Sequence, residues 1–191
     1  MERRNAWKTY TQEQLKELDQ INDRYKVCLD EGKTERECIR LTVKEIEKQG
    51  YRNLNDIKGS LKTGDKVYAV CMGKSIAMFR IGKEPLENGM NILGAHIDSP
   101  RIDVKQNPLY ENEELAYLDT HYYGGIKKYQ WVTLPLAIHG VIAKKDGTVQ
   151  DIIIGEKEDD PVFCITDLLP HLAAKQNERQ LKDGLKGEEL N

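Results

Sequence analysis

Two side chains stand where metal chemistry would need them. The apolar run Met90-Asn-Ile-Leu-Gly-Ala95 leads directly into His96-Ile97-Asp98, and Ser99-Pro100-Arg101 follows. Read as a strand, the run places His96 and Asp98 on one side at its end, because strand side chains alternate with period two. Pro100 forbids regular continuation. In α/β proteins that edge is where ligands bind. A neutral imidazole can ligate zinc, and a carboxylate beside it can fix its orientation and basicity. A plain turn, with Asp98 capping backbone amides and His96 half-buried, explains the same residues, and on spacing alone it is the commoner arrangement.

Other chemistry finds less support. Ser75 and Ser99 lack the elbow of a serine hydrolase. Gly124-Gly125 has neither the GxGxxG pattern nor a following Lys-Ser/Thr, so no phosphate loop is indicated. His121 and His139 fall in strand-like segments. His139 alternates with Ala137 and Val141, which favours a core or interface role over metal binding. Five of the nine tyrosines lie between 110 and 129, among Glu111, Glu113, Glu114 and Asp119. Base stacking on such an acidic cluster is improbable, and packing at an interface fits it better.

The elements that must position these residues follow from local signals. Thr11 with Gln14, and Thr34 with Glu37, form two capping boxes. Behind them Leu15, Leu18, Ile21, Tyr25 and Cys28, then Cys38, Leu41, Val43 and Ile46, mark two short helices closed by Gly32 and Gly50. Lys66–Met72 and Ser75–Ile81 read as a hairpin around Gly73-Lys74. Met90–Ala95 reads as a buried central strand. A second β-rich block covers roughly 115–155, with a hairpin turn at Lys145-Asp146-Gly147 between Trp131–Ala143 and Thr148–Ile154. An acidic turn precedes Pro161, and a last apolar stretch runs from Val162 to Ala174. The tail from Gln176 to Asn191 is polar, with no apolar periodicity strong enough to dock. A domain boundary is expected near 100–110, around Asn107-Pro108.

Composition narrows the class. A chain of 191 residues with 39% hydrophobic and 32% charged residues can bury a core. Lys+Arg number 29 against Asp+Glu 32, a net charge of −3, which argues against a nucleic-acid partner. The most apolar stretch, Trp131 to Ala143, is broken by Thr133, Pro135 and His139, and falls short of the roughly 18 apolar residues of a membrane span. The start, MERRNAWKTYTQEQ, is basic with no apolar segment behind it, so no secretory signal is expected. Cys28, Cys38, Cys71 and Cys164 include no CxxC pair and read as buried free thiols of a reducing, cytoplasmic protein.

The segment Asn91-Ile-Leu-Gly-Ala-His-Ile-Asp-Ser-Pro-Arg-Ile-Asp-Val-Lys105 resembles the one that carries the first metal ligand in the aspartyl aminopeptidase / aminopeptidase I family of zinc exopeptidases. The hairpin Lys66 to Gly82, Tyr122-Tyr-Gly-Gly125 and Leu169-Pro-His-Leu-Ala173 are similar to further segments of that family, so the likeness runs from about residue 12 to 175. It implies the start of an α/β/α sandwich in residues 1–100 and part of a β-rich dimerisation insertion in 101–191. It implies a dinuclear zinc aminopeptidase acting on peptides and assembled as a homo-oligomer from dimers. His96 matches the first metal ligand, and Asp98 the catalytic carboxylate that orients the metal site. His171 matches a substrate-binding histidine that reaches the neighbouring subunit's active site.

The sequence also departs from that pattern. Ile126-Lys-Lys-Tyr-Gln-Trp-Val-Thr-Leu134 lacks the Trp-x-Asp-Arg-Asp-Leu character of the aspartyl-preferring branch, which weakens the case for acidic N-terminal residues as substrates. The bridging aspartate, the tandem glutamates and the last histidine have no match in Lys175–Asn191. The expectation is an N-terminal fragment, inactive in isolation, of a zinc aminopeptidase. The alternative is a non-catalytic oligomerisation or regulatory module derived from the same family.

Overall fold

The computed structural model describes residues 5–191; the basic start, Met1 to Arg4, lies outside the described residues. The chain divides into two compact units, Met1–Asp98 and Ser99–Asn191.

In the first unit, helix α1 spans Gln12–Glu31 and helix α2 spans Glu35–Lys48. Both capping boxes form. Thr11 N–H donates to Gln14 Oε1 at 2.9 Å, and Thr34 N–H donates to Glu37 Oε2 at 2.9 Å. These bonds satisfy amides that the first helical turn leaves without partners. Between the helices the chain passes close enough that a Cβ on Gly32 would sit 2.7 Å from the Cys28 carbonyl oxygen and 3.0 Å from Cys38 Sγ. Only glycine fits there. Gly50, at φ +84°, ends the second helix as expected.

Strands β1 (Arg52–Asn53), β2 (Lys66–Cys71) and β3 (Ser75–Arg80) form one sheet in that order, β1 parallel and β3 antiparallel to β2. Met72 and Gly73, at φ 53° and 68°, make the hairpin turn. Val67 and Tyr68 are both buried although adjacent strand residues face opposite ways, so β2 is covered on both faces. With Ile39 and Ile46 of α2 they form this unit's buried apolar core. The Tyr68 hydroxyl donates to Glu47 Oε1 at 2.7 Å, tying strand to helix. That bond to a carboxylate pushes the phenol's pKa up.

The second unit opens with β4 (Arg101–Asn112) and β5 (Leu115–Tyr123), an antiparallel pair turned at Glu113 and Glu114, both in the left-handed region. Asn107 and Pro108 therefore lie inside a strand, and the division between the units falls earlier, after Asp98. The register slips between Val104 and Leu109. Proline has no N–H to give to a ladder, and a bulge is how a strand accommodates it. Strands β6 (Ile138–Ala143) and β7 (Val149–Ile154) form a second hairpin around the expected Asp146-Gly147 turn. The preceding residues from Trp131 do not join β6, since Thr133 is left-handed at φ 61° and Pro135 lacks a donor. Two isolated bridges hold them instead, Val132 to Ile165 and Leu136 to Phe163.

Three further expectations are corrected. No strand forms at Met90–Ala95: Ile92 is 79% and Leu93 101% exposed. An apolar run becomes a strand when a neighbour takes its amides and carbonyls, and among the described residues none does. The cysteines are free but not buried; Cys28, Cys71 and Cys164 are exposed and Cys38 is half-buried. Partial burial pushes the Cys38 thiol pKa up. The polar tail, finally, does dock. Leu185 and Leu190 are buried, the Thr120 hydroxyl donates to the Leu190 carbonyl, and Thr120 N–H donates to Asn191 Oδ1 at 3.1 Å. Two leucines five residues apart make no helical or strand stripe, so periodicity is blind to them.

Leu190→Ala should destabilise the second unit by about 2–5 kcal/mol, as for other buried leucines, measurable by urea unfolding. Glu189 caps Lys186 N–H at 2.8 Å and takes both contacts from Arg179 at 3.0 Å. Those bonds, the backbone one foremost, hold its carboxyl below the usual glutamate value. A depressed folded pKa gives stability that is full above the unfolded value and lost as pH falls through the folded one. The Thr120 amide resonance should therefore report tail release on acidification below the ordinary glutamate range, and Glu189→Gln should weaken that response.

Candidate metal centre

His96 and Asp98 come together at the end of the first unit. Residues 91–100 carry no regular structure, so the contact is made within one short bend of chain. His96 Nδ1 lies 3.1 Å from the Asp98 carbonyl oxygen and 3.4 Å from Asp98 Oδ1. Both neighbours are acceptors, so in the neutral ring Nδ1 must hold the proton and Nε2 the lone pair. The side chain is 85% exposed, which corrects the half-buried imidazole of the turn reading and leaves Nε2 accessible. An imidazole with its far N–H fixed by a carboxylate or carbonyl is the arrangement that metal-ligating histidines use.

The chain just beyond is braced within the second unit. Arg101 Nε donates to Asp103 Oδ1 at 2.7 Å and Nη1 to the Ser99 carbonyl at 3.3 Å. Its guanidinium stands 4.3 Å from the Tyr123 ring centroid. Gly124, at φ +74°, lets the backbone pass Pro100 so closely that a Cβ would lie 3.4 Å from the proline's.

His171 sits elsewhere, in the second unit, exposed on a turn of its own. Leu172 N–H donates to the Leu169 carbonyl at 2.8 Å, with Pro170 at the second turn position, where its fixed φ suits the geometry. The remaining histidines have local partners. His121 Nδ1 donates to the Tyr122 carbonyl at 3.1 Å. His139 Nε2 pairs with Glu156 Oε1 at 2.9 Å, its side chain only 13% exposed. In the tyrosine cluster, Tyr110 and Tyr117 stack at 5.3 Å across the hairpin.

Donor chemistry limits what this centre can hold alone. A catalytic zinc takes about three protein ligands, and no group of three or more His, Cys, Asp or Glu occurs among the described residues in reach of one ion. His96 fits as one ligand and Asp98 as the group behind it.

The comparisons with known proteins decide the family. The family model described as Aminopeptidase I zinc metalloprotease (M18) matches residues 28–187. The chain belongs to the M18 family. A probable M18 family aminopeptidase 1 of Clostridium acetobutylicum is 59% identical over 193 residues, covering 100% of this chain and 42% of the relative. The crystal structure of an M18 aminopeptidase from Thermotoga maritima superposes with a TM-score of 0.88 at 44% identity, over 100% of this chain and 41% of that one. The chain thus spans about two fifths of the length of these M18 relatives. A dodecamer of the Saccharomyces cerevisiae enzyme, at 22% identity, TM-score 0.63, and 78% and 36% coverage, shares the fold. The α/β class stands with these M18 neighbours.

Two features escaped the sequence reading. Beneath the His171 turn lies a cavity of about 470 Å³, lined in part by Tyr129, Leu168, Pro170, Gln176 and Arg179. Asp167 and Gln176 span the base of that turn, and nothing in their nine-residue separation announces it.

With one ligand the chain should bind zinc only weakly, and His96→Ala should remove that binding in a direct zinc titration without a competing chelator. Asp98→Ala should weaken it about tenfold or more, as when other orienting partners are removed. Unchanged affinity in His96→Ala would remove the ligand assignment.

Proposed function

We propose that this chain carries the N-terminal portion of a zinc-dependent aminopeptidase that releases N-terminal residues from peptides. The observation that carries the reading is the His96–Asp98 contact, which holds the proton on Nδ1 and leaves Nε2 for a metal. In this reading residues 1–100 begin the catalytic domain and 101–191 belong to the β-rich dimerisation part. Zinc, when bound, supplies Lewis-acid polarisation of the scissile carbonyl. His96 contributes one ligand, and a complete site holds about two ions.

Asp98 fixes the tautomer and plane of His96, so its work is orientation. His171 approaches substrate from a partner subunit, where a ring N–H can donate to a peptide carbonyl. The exposed leucines beside it, Leu168, Leu169 and Leu172, suit an apolar contact with that partner. A homo-oligomer built from dimers follows, in keeping with the dodecamer of the yeast relative. The free cysteines fit a reducing, cytoplasmic setting. No described helix is long and apolar enough to cross a membrane.

A second reading, a non-catalytic assembly module, draws on the lack of a three-ligand cluster among the described residues. One assay separates the two. Metal-loaded chain of 191 residues should show no hydrolysis of aminoacyl chromogenic substrates. Fused to the remaining sequence of an M18 relative, it should gain activity that His96→Ala abolishes. Failure of every such fusion to hydrolyse, despite folding and zinc loading, would favour the module. Turnover by the 191 residues alone, lost in His96→Ala, would contradict the ligand set. In mixed dimers, one subunit with His171→Ala and the other without its metal site, activity should depend on which subunit supplies the histidine.

A further inference from the structure

The loop that presents His171 crosses a hollow. Its two ends are anchored by buried Ile165 and Ala173, and behind it lies the cavity of about 470 Å³. The loop's own leucines do not pack it down: Leu168, Leu169 and Leu172 are 54%, 59% and 63% exposed. What ties it is polar. Asp167 Oδ1 accepts two bonds at once, from Leu168 N–H at 2.8 Å and from Gln176 Nε2 at 3.1 Å. The second closes residues 167–176 into a ring, with the Leu169–Leu172 turn at its tip. Ala173 N–H, donating to the Leu169 carbonyl at 3.0 Å, stiffens the descending limb.

We infer that Asp167 and Gln176 are positioning residues that hold His171 in its presenting geometry. The inference rests on the reading of His171 as a substrate-binding group. A loop over a cavity has few dispersion contacts to fix it, so the cross-loop bond sets the direction of the tip. Freed from it, the ten residues sample more conformations and the imidazole spends less time in place. The cost then falls on substrate binding and leaves the chemical step alone.

The test uses the active fusion described above and follows kcat and KM separately. Asp167→Ala should raise KM about tenfold, the scale of one lost hydrogen bond to a charged group, with kcat little changed. Asp167→Asn keeps an oxygen that accepts both bonds and should recover most of that loss. Asp167→Asn combined with Gln176→Glu reverses the polarity of the contact, the introduced amide now donating to the introduced carboxylate, and should recover it too. In a His171→Ala background, Asp167→Ala should add nothing, because the two act through one group. Amide exchange on the 191-residue chain guards against misfolding. Asp167→Ala should speed exchange at Leu168 and Ala173 and leave the strands β4 to β7 protected. A KM rise that adds to that of His171→Ala, or no rise while His171→Ala itself raises KM, would overturn the clamp. No effect of His171→Ala on either constant would overturn the reading beneath it, and the two failures are distinguishable.

Discussion

A neutral imidazole has one proton and two nitrogens, and at His96 the chain decides which nitrogen keeps it. Asp98 offers a backbone carbonyl and a carboxylate to Nδ1, and neither can donate. The consequence is an exposed lone pair at Nε2, which is what a first-row metal needs. Local geometry achieves this without a strand ladder, since residues 91–100 have no regular structure. Ser99, Pro100 and Arg101, which follow at once, are braced by their own contacts to Asp103, Tyr123 and Gly124. Centre and bracing are thus consecutive in the chain.

Apolar burial is modest in each unit, and polar contacts of short span complete the work. In the first, Val67, Tyr68, Ile39 and Ile46 are buried, and Tyr68 joins sheet to helix through Glu47. In the second, Ile165, Ala173, Leu185 and Leu190 are buried, while single carboxylates gather several donors. Asp160 accepts from Gly155 and Lys157, Glu189 from Lys186 and Arg179, and Asp167 from Leu168 and Gln176. Backbone donors lower the pKa of Asp160 and Glu189. Beside these polar ties, large apolar side chains stand in solvent, Ile92, Leu93 and Leu109 among them.

Much of the fold was legible because its signals are local. Thr11 with Gln14 and Thr34 with Glu37 start helices by bonds that span three residues. Gly73 and Gly147 mark turns because their backbone is left-handed. The candidate centre was legible for the same reason, since His96 and Asp98 are two residues apart. What sequence alone misplaced depends on distant partners. Met90–Ala95 has the composition of a buried strand, but a strand is a property of two segments. The tail docks through Leu190 on Thr120, seventy residues away. Pro108 suggested a break and is a bulge, because β5 continues to pair on both sides of it.

The tautomer of His96 is read directly by nitrogen-resolved NMR of its ring. With His96 assigned by its loss in His96→Ala, the account predicts a protonated Nδ1 and a pyridine-type Nε2 at neutral pH. Asp98→Ala should mix the tautomers, and zinc should shift the Nε2 resonance while Nδ1 keeps its proton. A ring protonated chiefly at Nε2 in the unaltered chain would contradict that assignment.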